Sequence, residues 1–199
     1  MPIPNLNNIE DHFGTAVAID DNYAVVGASQ FQPVRGYAND LYYNGSNWEI
    51  VAKLTPSDSE IVFGYNNIFG LSISISGDYV VIGSINKAYV YEKPSTGWKD
   101  TIENAQLYGS NTYNNSNFGN SVCISGNYIA IDAYGVDTTQ SATLRPSNIQ
   151  YSSNFGLSAS LSGENILIGA KLNNENGLES GSVYFYKMLE TIWKDTTER

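Results

Sequence analysis

The sequence is poor in the side chains that most often carry chemistry. Its 199 residues include one cysteine and one histidine. A lone Cys123 excludes an internal disulfide and leaves the redox compartment open. A lone His12 excludes a cluster of imidazole metal ligands, and no spacing of serine, histidine and aspartate points to a nucleophilic triad. Basic residues are scarce too. Ten Lys and Arg against 20 Asp and Glu give a formal charge of −10, which repels phosphate backbones and anionic membranes. Nucleic acid is therefore not an expected partner. No apolar run is long enough to cross a bilayer, and the opening MPIPNLNNIEDHFG lacks a basic start followed by an apolar stretch. The chain accordingly reads as soluble, without membrane insertion and without a signal peptide.

What the sequence has is repetition. FGTAVAIDDNYAVVGAS from Phe13, FGLSISISGDYVVIGS from Phe69, FGNSVCISGNYIAIDA from Phe118 and FGLSASLSGENILIGA from Phe155 are four copies of one pattern. A repeat of this size means modular architecture. Each copy alternates with period two on both sides of a two-residue turn: Asp21-Asn22, Gly77-Asp78, Gly126-Asn127 or Gly163-Glu164. Two strands joined as a hairpin are expected in every copy.

The columns of the first strand separate by size. Ala16, Ser72, Ser121 and Ser158 align, as do Ala18, Ser74, Cys123 and Ser160, while Val17, Ile73, Val122 and Ala159 point the other way. One face is small in every copy, as expected of strands that converge on a crowded axis. Cys123 falls in a small column and reads as a core filler rather than a nucleophile. Three copies continue into an aromatic third strand, from Asp40, Lys87 and Gly181, followed by Trp48, Trp98 and Trp193. A fourth strand follows as VAKLTP or AQLYG. Four antiparallel strands repeated about an axis make the blades of a β-propeller. The tryptophans, recurring at one repeat position, read as blade-packing residues.

Phe-Gly, a strand, Ser-Gly, a second strand and a small Gly-Ala or Gly-Ser resemble the FG-GAP repeat of integrin-like β-propellers, especially the variety in bacterial surface and secreted proteins. That resemblance implies a binding or adhesion role and an extracellular or cell-surface setting. Integrin-type repeats also carry an Asp-x-Asp-x-Asp-Gly calcium loop between the first two strands. Here that connection is a tight turn offering only Asp20-Asp21, Asp78 or Glu164, too few oxygens to surround the ion, so no metal and no other cofactor is expected. The loop from Asn173 has scattered oxygens but reads as solvated.

Residues 1–199 read as a single all-β propeller domain of four blades that begin near Phe13, Phe69, Phe118 and Phe155. The chain stops at IWKDTTER, where the second blade continues into AQLYG, and it starts with an extra strand-sized MPIPNL. Joined end to start, the spacing from Trp193 to Phe13 is 19 residues, beside 21 from Trp48 to Phe69 and 20 from Trp98 to Phe118. Residues 1–12 are therefore expected to complete the last blade and close the ring, with residues 2–6 pairing near Val183 to Lys187 or Ile192 to Thr196. A monomer follows. The alternatives are a fragment of a larger ring, since members of the family it resembles usually have seven blades, and an eight-bladed ring of two chains that exchange ends. The third blade, only 37 residues from Phe118 to Phe155, lacks the tryptophan and aromatic strand.

The loops entering each first strand vary most and are rich in Tyr and Asn: 7–12, 64–67, 108–117 and 145–154. Tyrosine supplies rigid contact area with a polar tip, and amides match hydroxyls and peptide groups. A non-catalytic module that recognises a protein or a glycan through this loop face is the expected function, with Tyr65, Tyr108, Tyr113 and Tyr151 as its anchors. The alternative is a carbohydrate-active hydrolase or lyase using carboxylate or tyrosine groups at the central mouth, since acidic pairs need no sequence proximity. His12, aligned with Ile68, Asn117 and Asn154, reads as a loop position rather than a base.

Overall fold

The computed structural model describes residues 11–29, 36–58, 68–109, 117–132, 144–145, 154–188 and 196–197. Every regular element among them is a strand. The first sheet comprises β1 (Phe13–Asp20), β2 (Tyr23–Ala28), β3 (Tyr37–Tyr43) and β4 (Trp48–Thr55). The second begins with β5 (Ser72–Ser76), β6 (Tyr79–Ser84) and β7 (Lys87–Glu92). After it the short β8 (Thr101–Ile102) crosses back to pair with β4, and β9 (Ala105–Tyr108) completes the second sheet beside β7. A third hairpin is β10 (Val122–Ser125) with β11 (Tyr128–Ile131), followed by β12 (Leu144–Arg145). The fourth sheet is β13 (Phe155–Ser162), β14 (Asn165–Ala170) and β15 (Ser182–Lys187), followed by β16 (Thr196–Thr197).

All four sequence copies therefore fold as antiparallel hairpins around their two-residue turns, with Asp20 opposite Tyr23, Ser76 opposite Tyr79, Ser125 opposite Tyr128 and Ser162 opposite Asn165. The aromatic third strands pair where expected in three copies. A further regularity joins the sheets. Leu54 and Thr55 pair in parallel with Thr101 and Ile102, and Leu144 and Arg145 pair in parallel with Thr196 and Thr197. Both partners follow the same Trp-Lys-Asp triplet, at 98–100 and 193–195. The outer strand of one repeat is thus clasped by the segment after the tryptophan of the next.

The first strands stand side by side, β1 by β5, β5 by β10 and β10 by β13. The apolar core is correspondingly divided into layers between consecutive sheets. Val25, Ala38 and Leu54 of the first sheet pack with Ile73, Val80, Tyr89 and Tyr91 of the second. Val81 and Ala88 meet Phe118, Val122 and Ile124. Cys123 packs with Leu161, Ile168, Tyr184 and Tyr186, buried and with its thiol pushed up to about 11 by that burial. Packed in this layer, the thiol fills core space, and burial disfavours its thiolate.

The Phe-Gly signature has a steric origin. Phe69 stands edge-on to Tyr89 and Tyr91 at 5.1 and 6.3 Å, and Phe155 repeats this with Tyr184 and Tyr186 at 5.3 and 6.4 Å. Burying one such ring contributes roughly 2–3 kcal/mol. The glycine that follows adopts φ near +90°, from 88° at Gly70 to 98° at Gly14, a region side chains avoid. The preceding residue is also left-handed at His12, Asn117 and Asn154. Asparagine tolerates that conformation better than most residues, which accounts for its recurrence there. The small Gly-Ala or Gly-Ser pair answers the same contact from the other side. A Cβ on Gly27 would lie 2.5 Å from the Gly70 carbonyl oxygen, and one on Gly83 would overlap the Gly119 carbonyl.

Trp98 is buried in the first core layer and Trp48 packs against Tyr43 with ring centroids 5.3 Å apart. Trp193 lies outside the described residues, as do residues 2–6 with the ring-closing pairing expected of them and residues 133–143 of the shortened third blade.

Candidate functional site

Of the four tyrosines expected to anchor a ligand, Tyr65, Tyr113 and Tyr151 lie outside the described residues. Tyr108 is described. It is the last residue of β9, opposite Lys87 at the start of β7, and so stands at the strand ends where the Phe-Gly pairs enter their sheets. More than half of it is exposed, yet it is held. Its hydroxyl donates to Gln106 Oε1, and the Lys87 ammonium lies 5.4 Å from its ring centroid.

The groups behind it form one network that ties the first sheet to the second. Lys87 is ion-paired with Asp58, which lies just beyond β4. The Tyr89 hydroxyl donates to both Asp58 oxygens, at 3.0 and 3.1 Å, and burial together with that carboxylate pushes the phenol well above its ordinary range. Gln106 Nε2 donates to Glu103 Oε1 at 2.5 Å, while the Ser57 main-chain N–H donates to Glu103 Oε2 at 2.8 Å. Burial opposes ionisation of Glu103, but hydrogen bonds from Gln106 and Ser57 outweigh it and hold the carboxyl below the usual range. Tyr108 is therefore an exposed ring on a braced support, the arrangement that gives contact area at small entropic cost.

The opposite strand ends hold a cleft that the sequence reading did not single out. It encloses about 380 Å³ between the Asp21-Asn22 and Gly77-Asp78 turns and is lined by Tyr23, Tyr42, Asp78 and Lys93. The two tyrosine rings are tilted against each other at 5.1 Å. Lys93 sits 4.6 Å over the Tyr23 ring and pairs with Asp78 at 2.6 Å; its hydrogen bond to that carboxylate raises its pKa. Tyr23 and Tyr42 face each other across the β2–β3 ladder, so the signal was present as two aromatics in strand register. No turn motif encodes the cleft, which exists only once β2 and β3 pair.

Chemically, both places offer ring faces, amides and carboxylates, which suit hydroxyl and peptide groups. Among the described residues no group of three His, Cys, Asp or Glu side chains lies close enough to hold a metal ion. His12 is at a left-handed position, where its Nδ1 lies 3.3 Å from the Ser29 carbonyl oxygen. In the loop after β14, Asn173 is buried and donates from Nδ2 to the Tyr184 hydroxyl at 2.6 Å, so the first oxygen-bearing side chain of that loop points inward.

No curated protein matches the chain. The model of the FG-GAP repeat matches residues 8–44, 48–93 and 138–186. The first two matches cover the first sheet and the core of the second, and the last runs from the end of the third repeat through the fourth. With about two thirds of its length matched, and with the Phe-Gly contact recurring in the fold, the chain belongs to the FG-GAP repeat family.

Proposed function

We propose that this chain is a non-catalytic recognition module whose four sheets are blades of a propeller, and that it binds a protein or a glycan through the face on which the Phe-Gly loops open. The observation that carries this reading is Tyr108, exposed yet fixed by Gln106 and Lys87. Tyr65, Tyr113 and Tyr151, on the sequence segments that precede the Phe-Gly pairs at 69, 118 and 155, are the companions this reading assigns to it. Repeat membership is consistent with binding and adhesion at a cell surface or outside the cell. The net charge of −10 favours neutral or basic ligands over nucleic acid.

A combined glycan and peptide array probed with the full chain tests the reading. Specific binding that Tyr108→Ala weakens at least tenfold, with the melting temperature retained, is the expected result. Turnover of an arrayed glycan, or binding indifferent to Tyr108, Tyr113 and Tyr151 together, refutes it.

A further inference from the structure

The three internal junctions between consecutive sheets follow one rule. The last residue of a first strand accepts a hydrogen bond from the main-chain N–H that opens the next sheet's turn: Gly77 to Asp20 Oδ2 at 2.6 Å, Gly126 to Ser76 Oγ at 3.1 Å and Gly163 to Ser125 Oγ at 3.0 Å. The small-face serines do the same one or two steps earlier, with Ile124 donating to Ser74 and Ala159 to Ser121, both at 3.1 Å. At the first two junctions a second-strand glycine sits against the Phe-Gly carbonyl of the following sheet; at the third, Asp132 takes its place and meets Gly156. The bulky side chains of the following first strand are buried in consequence, leaving Ile73 and Ile75 at 9% and 7% exposure.

The outermost faces are the two unmatched halves of that rule. At the aligned positions of β1, Val17 and Ile19 are 69% and 66% exposed. A Cβ on Gly14 would meet nothing within 4 Å, whereas Gly70, Gly119 and Gly156 are all packed against the preceding sheet. On the fourth sheet Ser158, Ser160 and Ser162 are exposed. Beside them Val183 and Phe185 are 70% and 41% exposed, although Ala88, which aligns with Val183, is at 0% under the third sheet. Gly169 has only Ser158 of its own sheet near it, so the notch that receives a Phe-Gly carbonyl in the earlier copies is open. Exposed apolar side chains clustered on one sheet face mark an interaction site.

We propose that the β13–β15 face receives the β1 face of a second copy of this chain, head to tail, so that two chains close on each other through two copies of the junction already used three times within each chain. The occupant follows from the register. The exposed face of β1 is the surface that every later first strand presents to the sheet before it, and the exposed face of β13–β15 is the surface that earlier sheets present in return. Such heterologous contacts give a ring when the rotations add up and a filament when they do not. Each chain carries a net charge of −10, so added salt should strengthen the contact by screening it. The proposal does not depend on the loop-face reading.

Light scattering and sedimentation of the full chain test it. The expected mass is twice 21.8 kDa, without growth to larger species, and the dimer fraction rises with salt. The doubly substituted chains Val17→Asp/Ile19→Asp and Val183→Asp/Phe185→Asp should each be monomeric with unchanged far-ultraviolet circular dichroism, because all four sites are exposed. Mixed in equal amounts, they restore one of the two junctions and bring the two substituted faces together in the other, so a two-chain species weaker than that of the unsubstituted protein is expected. A single-chain mass for the unsubstituted protein at every concentration up to about 1 mM overturns the proposal and leaves closure to the chain's own end faces or to neighbouring sequence. Growth into filaments, or a dimer that survives both pairs of substitutions, also overturns it.

Discussion

Asp40 sits poorly in this fold, and replacing it should make the protein more stable. It lies in β3 opposite Val25 on one side and Ala52 on the other, fully buried, and among the described residues neither carboxylate oxygen has a hydrogen-bond partner. In the second and fourth sheets the aligned residues are Val90 and Phe185. Burial raises its pKa from 3.8 to about 7, with the positive charge of Lys93 partly opposing the shift. The unfolded chain ionises near pH 4, whereas the folded one holds the proton until about pH 7. Between these values the folded state binds more protons, so stability falls as pH rises, with the penalty absent below pH 4 and complete above pH 7. At 1.36 kcal/mol per unit, the full penalty is about 4 kcal/mol. Asp40→Val, which places there the residue type found at the aligned position of the second sheet, removes it. Urea unfolding followed by tryptophan fluorescence, using the buried Trp98, should show the variant more stable by up to about 4 kcal/mol at pH 8. That advantage should shrink steadily towards pH 4. Taking the difference between the two proteins cancels the titrations they share. An advantage that does not change with pH would show that Asp40 is solvated or already ionised, and would refute the reasoning.

Three further outcomes are expected. Gly83→Ala drives a methyl into the Gly119 carbonyl across a sheet junction and into the Ser72 hydroxyl of its own sheet, and should cost about 1–3 kcal/mol in denaturant unfolding. Adding millimolar calcium or a chelator should leave the melting temperature unchanged, because two-residue turns cannot wrap six to eight oxygens; a rise of several degrees would reveal a site, with the loop from Asn173 the first place to search. Tyr108→Ala should leave stability within about 1 kcal/mol of the unsubstituted protein, because the residue is exposed at the end of β9, while weakening any loop-face ligand. Equal losses of both would make the ring a structural prop.

How much of this was legible in the sequence follows from where each signal resides. Hairpins were legible because a period of two and a two-residue turn are local, and the four copies confirmed one another: Asp20 meets Tyr23 just as Ser162 meets Asn165. The small column of the first strand was legible as a size pattern, but its use was not. Ser76 and Ser125 are small, and they also accept main-chain hydrogen bonds from Gly126 and Gly163 of the following sheet. A bond between repeats is invisible to an alignment that lays the repeats over one another, since it joins different columns of different copies. The same blindness hid the Gly27 and Gly83 contacts, whose partners are main-chain oxygens carrying no side-chain signature. The sequence places Asp40 at the start of an aromatic strand, because its neighbours Leu41, Tyr42 and Tyr43 dominate the local pattern, whereas β3 begins at Tyr37. Only the register, which sets it opposite Val25 and Ala52, shows that it lies on the buried side. Tyr23 and Tyr42 likewise become a cleft only once β2 and β3 pair. What a repeat conceals is therefore the relation between one copy and the next. In this protein that relation sets the layered core and the two exposed end faces, while the place of Asp40 is set by the register within its own sheet.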